Sequence, residues 1–248
     1  MTIQIEQFSC LDDNYGLLIR DEESGETACI DTPDADVILS HLRRLNWSLT
    51  LIMNTHWRRD HAGGNHALKQ VTGASIVGPA EVAKISQPDR VVAGGDVVTL
   101  GATHFAVLDT GGHTHGHISY YAEADSVVFV GDTLFALGCG RLFEGDAAQM
   151  WESLGRLAAL PDQTEVYCAH EYTEANARFA LTVDGDPELR ARAEGVFAQR
   201  RRGEPTVPTT IGLEKRTNPF LRAPIPRNQA SDVAAFAELR AAKANFRG

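Results

Sequence analysis

The sequence lacks the features of exported and membrane proteins. It has no run of about 18 apolar residues, which is the length that a membrane-spanning helix needs. We expect no signal peptide, because residues 1–6 are neither basic nor strongly apolar. Its cysteines are scattered and form no C-x-x-C pair, a pattern typical of reduced structural thiols. We therefore expect a cytoplasmic protein that requires no disulfide.

The sequence is also short of positive charge. It has 23 Lys+Arg against 33 Asp+Glu, which gives a net charge of −10. The deficit lies before Val166, and from there onward basic residues outnumber acidic ones. This balance argues against nucleic acid as a partner and favours cation binding in the first part and a small anionic ligand near the second. We expect a monomer with neither a nucleic-acid partner nor a membrane partner.

The order of the sequence patterns indicates an α/β protein with a helical C-terminal part. Residues 35–47 have the apolar spacing of an amphipathic helix, and residues 49–54 have the composition of a buried strand. Strand-like and helix-like segments alternate up to about Cys168, and only helix-like segments follow. The sequence therefore predicts an αββα domain over residues 1–165 and a helical domain over residues 166–248.

The clearest local pattern follows the predicted strand over 49–54. His56, Asp60 and His61 lie close together just after it, and Gly63 and Gly64 allow the chain to turn into the next helix. Loops at strand ends hold side chains rigidly, and imidazole nitrogens with carboxylate oxygens suit zinc, iron or manganese. The pattern predicts a metal site.

The same pattern recurs at other predicted strand ends. His113, Asp132 and His170 each come shortly after a strand-like segment. Any one of them alone is explained equally well as a buried structural residue. Their repetition at strand ends favours ligands that converge on one site.

Further motifs extend over nearly the whole chain. They include Gly131-Asp132-Thr133 and the segments C-G-R-x-F-E-G, H-E-Y-T and N-P-F-L-R. With these motifs the chain resembles glyoxalase II, the hydroxyacylglutathione hydrolases of the metallo-β-lactamase superfamily. The segments that carry the resemblance are residues 13–15, 55–61, 112–114, 131–135, 138–145, 170–173 and 217–222.

The resemblance implies a metallo-β-lactamase αββα sandwich with a C-terminal α-helical domain and a dinuclear metal site. Zinc is the usual metal, with one or two ions, and iron or manganese also occurs. The resemblance implies that a hydroxide between the metals attacks the thioester of S-D-lactoylglutathione. The products are D-lactate and glutathione, a reaction of methylglyoxal detoxification. The implied ligands are His56 and His113 for the first metal, Asp60, His61 and His170 for the second, and Asp132 between them, with Asp60 and Asp132 also catalytic.

The resemblance also implies residues that bind the glutathione moiety. Arg141, Phe143 and Tyr172 match positions that line its pocket. Basic side chains of the last part are candidates to hold its carboxylates, because a guanidinium binds a carboxylate with two hydrogen bonds. The alternative is that they are solvated surface charges. These candidates are Lys215, Arg216 and Arg222.

One ligand position departs from the family pattern. The family has H-x-H-x-D-H, whereas this chain has Arg58 at the second histidine. Arginine remains protonated and has only hydrogen-bond donors, so it cannot bind a metal. The first metal position is therefore predicted to be weakened.

The sequence leaves several consequences open. Arg58 pairs with Asp132 in a slow enzyme with one metal, or it swings outward while water or His115 completes a weak first position. Alternatively, the chain is a non-catalytic relative that binds glutathione conjugates. His56, His113 and Asp132 also match the two-His-one-carboxylate set of a persulfide dioxygenase that uses mononuclear iron. His117 is expected to support a ligand rather than to be one.

Overall fold

The computed structural model describes residues 3–223 and 231–247. The chain forms two compact units: unit 1 comprises Met1–Asp109 and Gly116–Gly131, and unit 2 comprises Thr110–His115 and Asp132–Gly248. The domain boundary predicted between residues 165 and 166 from the loss of strand patterns stays a prediction. No helix among the described residues has the length and apolar character needed to cross a membrane.

The first sheet of unit 1 has six strands in chain order. Its first three strands are antiparallel neighbours, and the following ones are added in parallel. Because the parallel strands end at the same edge of the sheet, the loops after them lie side by side. The strands are β1 (Ile3–Cys10), β2 (Asn14–Asp21), β3 (Thr27–Ile30), β4 (Leu49–Met53), β5 (Ser75–Gly78) and β6 (Arg90–Val91).

A second set of strands in unit 1 is antiparallel throughout. They are β7 (Val97–Leu100), β8 (Thr103–Asp109), β9 (Ile118–Ala122) and β10 (Val127–Gly131), each paired with the next. All residues of β9 and β10 are buried. Two hydrogen bonds join this set to the loop after β4: Ile118 N–H donates to Thr55 O over 3.0 Å, and Tyr120 O–H donates to Asn54 O over 2.7 Å. The ends of β4 and β9 are thereby fixed to each other.

The two longer helices of unit 1 pack on the first sheet. Asp34 caps the start of the longest one through bonds to two backbone N–H groups, and Asn46 ends it in the left-handed conformation. Its apolar face, with Ile38 and Leu42, packs on the core of the first sheet. The helices are α1 (Ala35–Leu45), α2 (Arg59–Ala62), α3 (Asn65–Thr72) and a 3-10 helix (Ala80–Lys84).

Unit 2 is mainly helical. Leu137 packs among apolar residues of two of its helices, and Pro187 occupies the first turn of one of them. The expectation that only helices follow Cys168 is wrong in one detail, because a strand of two residues, β14, pairs with β13. The elements are β11 (Leu134–Phe135), β12 (Gly138–Cys139), α4 (Ala147–Ala158), β13 (Glu165–Cys168), α5 (Thr173–Val183), α6 (Pro187–Arg201), β14 (Thr209–Thr210), α7 (Ile211–Thr217) and α8 (Asp232–Asn245).

Candidate metal centre

The predicted metal ligands fall into two groups. The unit 1 group follows β4 and comprises His56, Asp60 and His61. The unit 2 group comprises His113, Asp132 and His170. All four histidines and Asp132 are buried, and Asp60 is partly exposed.

Hydrogen bonds that end at Asp31 orient both histidines of the unit 1 group. The Asp31 carboxylate lies 2.8 Å from His61 Nδ1 and accepts a hydrogen bond of 2.7 Å from Thr55 Oγ1. Thr55 Oγ1 in turn lies 3.0 Å from His56 Nδ1. Since Nδ1–H of each ring has an acceptor, Nε2 is the nitrogen available to bind a metal.

Asp60 lies between a histidine and the substituted ligand position. One of its carboxylate oxygens lies 3.5 Å from His61 Nε2, and the other lies 3.9 Å from Arg58 Nε. The Arg58 and Asp60 side chains are each about one-third exposed, at 35% and 33%. Arg58 is thus placed beside a predicted ligand of the second metal.

Asp132 is the centre of the unit 2 group. Its Oδ2 lies 3.3 Å from His113 Nε2, and its Oδ1 lies 3.3 Å from His170 Nε2. Each carboxylate oxygen therefore faces a different imidazole. A carboxylate that bridges two metals presents one oxygen to each ligand set in this way.

Contacts from neighbouring residues orient the histidine rings of the unit 2 group. His113 Nδ1 lies 3.0 Å from the backbone oxygen of Arg141, which fixes the ring with Nε2 toward Asp132. The Tyr172 ring stacks on His170 with ring centroids 4.6 Å apart and an interplanar angle of 1°. Phe143 packs edge-on against His113 at 5.1 Å. Phe143 and Tyr172 are 52% and 36% exposed, so both predicted pocket residues have surface to offer a ligand.

The chemistry of these donors fits metal binding. In unit 1 the ligand atoms of Asp31, His56 and His61 lie within 4.8 Å of one another. Asp31 is a support rather than a ligand, because its oxygens already accept from Thr55 and His61. Neutral imidazole nitrogens next to carboxylates form the donor set that zinc, iron and manganese share.

The predicted carboxylate-binding cations of the last part all have acidic partners. Lys215 Nζ donates to Asp162 over 2.7 Å, and Arg216 Nε donates to Glu188 over 2.7 Å. Both pairs are exposed. Arg222 lies 3.0 Å from Asp184 and 3.1 Å from Asp186, and its side chain is mostly buried. The exposed pairs of Lys215 and Arg216 agree with the alternative of solvated surface charges, whereas Arg222 is mostly buried. The substrate role of the three cations stays a prediction.

A different group of cations was missed in the sequence. Arg240 and Lys243 lie on α8 and share with Arg141 a neighbourhood around Cys139. Burial, together with the charges of Arg240 and Arg141, lowers the pKa of Lys243 from 10.5 to about 8. The available signal was the spacing of three residues, which places Arg240 and Lys243 on the same face of a helix.

Two further histidines of the motif region differ in environment. His117 is buried, and its ring lies 4.8 Å from that of His56; its supporting role stays a prediction. His115 is exposed, with Nδ1 3.5 Å from Gln149 Oε1. Among the described residues, His115 belongs to none of the clusters that could hold a metal.

Comparisons with known proteins cover nearly the whole chain. A family model described as metallo-beta-lactamase superfamily matches residues 21–170, and one described as hydroxyacylglutathione hydrolase C-terminus matches residues 171–246. A protein of Maricaulis maris named hydroxyacylglutathione hydrolase is 55% identical over 98% of both chains. One of Erythrobacter litoralis with the same name is 52% identical over 98% of this chain and 100% of its own. The solved structure of ETHE1 from Myxococcus xanthus is 31% identical, with a TM-score of 0.73, over 98% of this chain and 92% of that one.

Proposed function

The chain belongs to the hydroxyacylglutathione hydrolase family of the metallo-β-lactamase superfamily, and from this we propose that it hydrolyses the thioester of S-D-lactoylglutathione. The predicted family and fold are confirmed. In the proposed reaction, water adds to the thioester carbonyl carbon and the C–S bond breaks. D-lactate and glutathione are released: one proton of the water goes to the leaving thiolate, and the other is released to solvent as the new carboxylic acid ionises to D-lactate.

The observation that carries this proposal is the position of Asp132. Its two oxygens face His113 and His170 at the same distance of 3.3 Å. This geometry suits a carboxylate shared between two metal positions. A carboxylate that only anchors a ligating histidine accepts from the ring nitrogen that does not bind the metal. In His113 that nitrogen, Nδ1, lies against the Arg141 oxygen, and Nε2 faces Asp132.

We assign the ligands as the family resemblance implies. His56 and His113 would hold the first metal, and Asp60, His61 and His170 the second, with Asp132 shared and zinc the proposed metal. Such ions, when bound, lower the pKa of water and polarise a carbonyl oxygen. Asp31 and the Arg141 carbonyl keep the histidine rings oriented, since they bind Nδ1 of His61 and His113.

The glutathione moiety needs both cationic and apolar contacts. We assign its carboxylates to Arg141, Arg240 and Lys243, because these cations share one neighbourhood and the charge of Lys243 is already disfavoured there. An anion at this position would relieve the repulsion among them. Phe143 and Tyr172 offer exposed ring surface for the rest of the peptide.

Arg58 would reduce the occupancy of the first metal position. A guanidinium cannot replace the missing imidazole as a ligand, and its positive charge opposes a cation nearby. The contact between Arg58 and Asp60 suggests that Arg58 also competes for a carboxylate of the second position. We therefore propose a hydrolase that holds one metal tightly and a second weakly.

The test is metal content and S-D-lactoylglutathione hydrolysis, measured on the protein and on Arg58→His. We expect about one metal ion per chain and slow turnover for the protein, and about two ions with faster turnover for Arg58→His. Arg59→His is the matched control, because it changes the same residue type at the adjacent exposed position. Two tightly bound ions and fast turnover in the unaltered protein would show that Arg58 leaves the first position intact.

The dioxygenase alternative has a separate test. Curated relatives at 49–55% identity over nearly the full chain are named hydroxyacylglutathione hydrolase, which favours hydrolysis. Oxygen consumption with glutathione persulfide and the iron-loaded protein, in the absence of thioesterase activity, would replace our proposal with the dioxygenase.

A further inference from the structure

A short hairpin separates Asp132 from Arg141 in unit 2. It comprises β11 and β12 and is called the 134–139 hairpin below. Leu137 at its turn has φ +58°, a conformation that is strained for leucine. The Leu137 side chain is fully buried among apolar residues of α5 and α6. The surrounding helices must therefore hold this turn in place.

Side chains of α5, of α7 and of the C-cap of α7 hold the backbone of the hairpin. Asn218 Nδ2 donates to Phe135 O over 3.1 Å and to Gly138 O over 3.0 Å. Asn176 Nδ2 donates to Ala136 O over 3.1 Å. Glu214 Oε2 accepts from Leu137 N–H over 2.9 Å. Consecutive backbone groups from residue 135 to residue 138 are thus bound by three side chains.

Glu214 is itself held by a buried network. Its Oε1 accepts from Arg192 and, over 2.6 Å, from Thr209 Oγ1, and its Oε2 accepts from Asn218 over 2.9 Å. Arg192 also donates to Thr217 Oγ1 over 2.5 Å. Because a buried carboxylate is costly unless it is fully hydrogen-bonded, the network fixes the position of Glu214.

The hairpin contacts the unit 2 ligands at both ends. At its base Gly140 N–H donates to Thr133 O over 3.0 Å, and Gly140 packs so closely on the Asp132 carbonyl that a Cβ there would lie 2.0 Å from it. In the hairpin itself the Phe135 ring packs edge-on against His170, with ring centroids 6.0 Å apart, and against Tyr172 at 5.3 Å. A movement of the hairpin would therefore displace both Asp132 and the ring of His170.

We propose that Asn176, Glu214 and Asn218 are positioning residues, which lock the 134–139 hairpin and thereby set the geometry of Asp132 and His170. The expected change in kcat rests on the proposed function, whereas the expected change in ligand geometry does not. Among the described hydrogen bonds, none of the three side chains reaches a ligand side chain or a predicted pocket residue. The backbone N–H of Asn176 donates to Tyr172 O over 2.9 Å, a bond that Asn176→Ala retains. The effect of the three side chains passes through the hairpin backbone and Phe135.

The test uses Asn218→Ala and Asn176→Ala, with Thr217→Val as the control. Asn176→Ala removes one hydrogen bond to the hairpin, and alanine is favoured at this helical position. This variant is therefore expected to fold even if Asn218→Ala does not fold. Thr217→Val removes a bond to Arg192 from the same network but none to the hairpin. Each protein is loaded with Co²⁺, and its visible absorption spectrum, kcat and KM are measured well below its melting temperature.

We expect the Co²⁺ spectrum to shift in both asparagine variants and kcat to fall by about tenfold to a hundredfold, with a smaller change in KM. Thr217→Val keeps the spectrum and kcat of the parent protein and only lowers the melting temperature. Parent-like spectra in both asparagine variants, or an equal shift in Thr217→Val, overturn the inference. If the parent protein hydrolyses no thioester, the proposed function fails, while the spectra still decide the positioning role.

Discussion

At the scale of single residues, Asp31 organises the unit 1 ligands without being one of them. It receives hydrogen bonds from the Thr55 backbone and hydroxyl group and lies 2.8 Å from His61 Nδ1. Its φ of +57° is a left-handed conformation that aspartate and asparagine tolerate better than other residues. The carboxylate therefore supports His61 directly and His56 through Thr55.

Asp31→Asn tests this support. Asparagine fits the left-handed backbone and the volume, but it removes the charge that holds the Nδ1–H tautomer of His61. We expect metal retention against a chelator to weaken by about tenfold to a hundredfold, measured by competition with a chromophoric chelator. Asp34→Asn is the control, because it removes the same charge three residues away while asparagine still caps α1. Equal retention in the Asp31 variant and the control would contradict the role of Asp31.

Arg58 shows how one substitution changes a site whose spacing is intact. The positions of His56, Asp60 and His61 in the motif are unaltered, so the arginine is a substitution and does not shift the other residues. Its consequence is chemical, since a donor-only side chain stands where a ligand is expected. The measured metal content of the protein and of Arg58→His decides how far this substitution weakens the site.

At the scale of elements, α8 places cations from the end of the chain next to Cys139 in unit 2. Its buried Phe236 packs against Trp151 at 5.7 Å and Phe220 at 6.1 Å. The next turn of α8 presents Arg240, whose guanidinium donates to Cys139 O over 3.1 Å. Hydrophobic docking of this helix therefore sets the position of the cations assigned to glutathione.

Phe236→Ala tests the docking of α8. The loss of a buried phenylalanine costs about 3–5 kcal/mol, and the helix would detach before the rest of the chain unfolds. We expect KM for S-D-lactoylglutathione to rise more than kcat falls, measured by steady-state kinetics together with a thermal melt. Glu238→Ala, at an exposed position of the same helix, leaves both constants unchanged. A fall in kcat at constant KM would show that α8 does not serve substrate binding.

Elements predicted from periodicity agree with those of the structure where the pattern is long. The helix predicted over 35–47 is α1 (Ala35–Leu45), and the strand predicted over 49–54 is β4 (Leu49–Met53). The 134–139 hairpin and α7 were not predicted, because short elements have too few residues to establish a period. Both depend on contacts with residues far away in the chain, such as Asn218 with Phe135.

At the scale of the whole molecule, burial keeps the cysteines inert. All four are free and buried. Burial raises the pKa of the Cys139 thiol to about 11 and, together with the nearby charges of Glu171 and Glu214, that of the Cys168 thiol to about 12. Burial and the nearby Asp34 carboxylate raise the pKa of Cys10 to about 12. Since the thiolate is the reactive form, these thiols are nearly unreactive near neutral pH.

Thiol titration checks this expectation. A disulfide-exchange reagent at pH 8 should label the native protein very slowly. The pH lies well below the raised pKa values of the thiols, so almost no thiolate is present. Addition of denaturant should expose all four cysteines at once. Rapid labelling of one thiol before unfolding would identify a cysteine whose surroundings open locally.

The cytoplasmic location and the monomeric state stay predictions.

The sequence by itself determined the family, the fold class and the identity of the candidate ligands. Those conclusions depend on residue types at fixed spacings, such as His56, Asp60 and His61 after a strand. Such spacings can be read directly from the sequence. Only the tertiary structure revealed the support by Asp31, the cations of α8 and the clamp of Asn218 and Glu214 on the hairpin. These contacts join residues that are 30 to more than 70 positions apart. No local pattern records them, because the packing of hydrophobic elements decides which distant side chains meet.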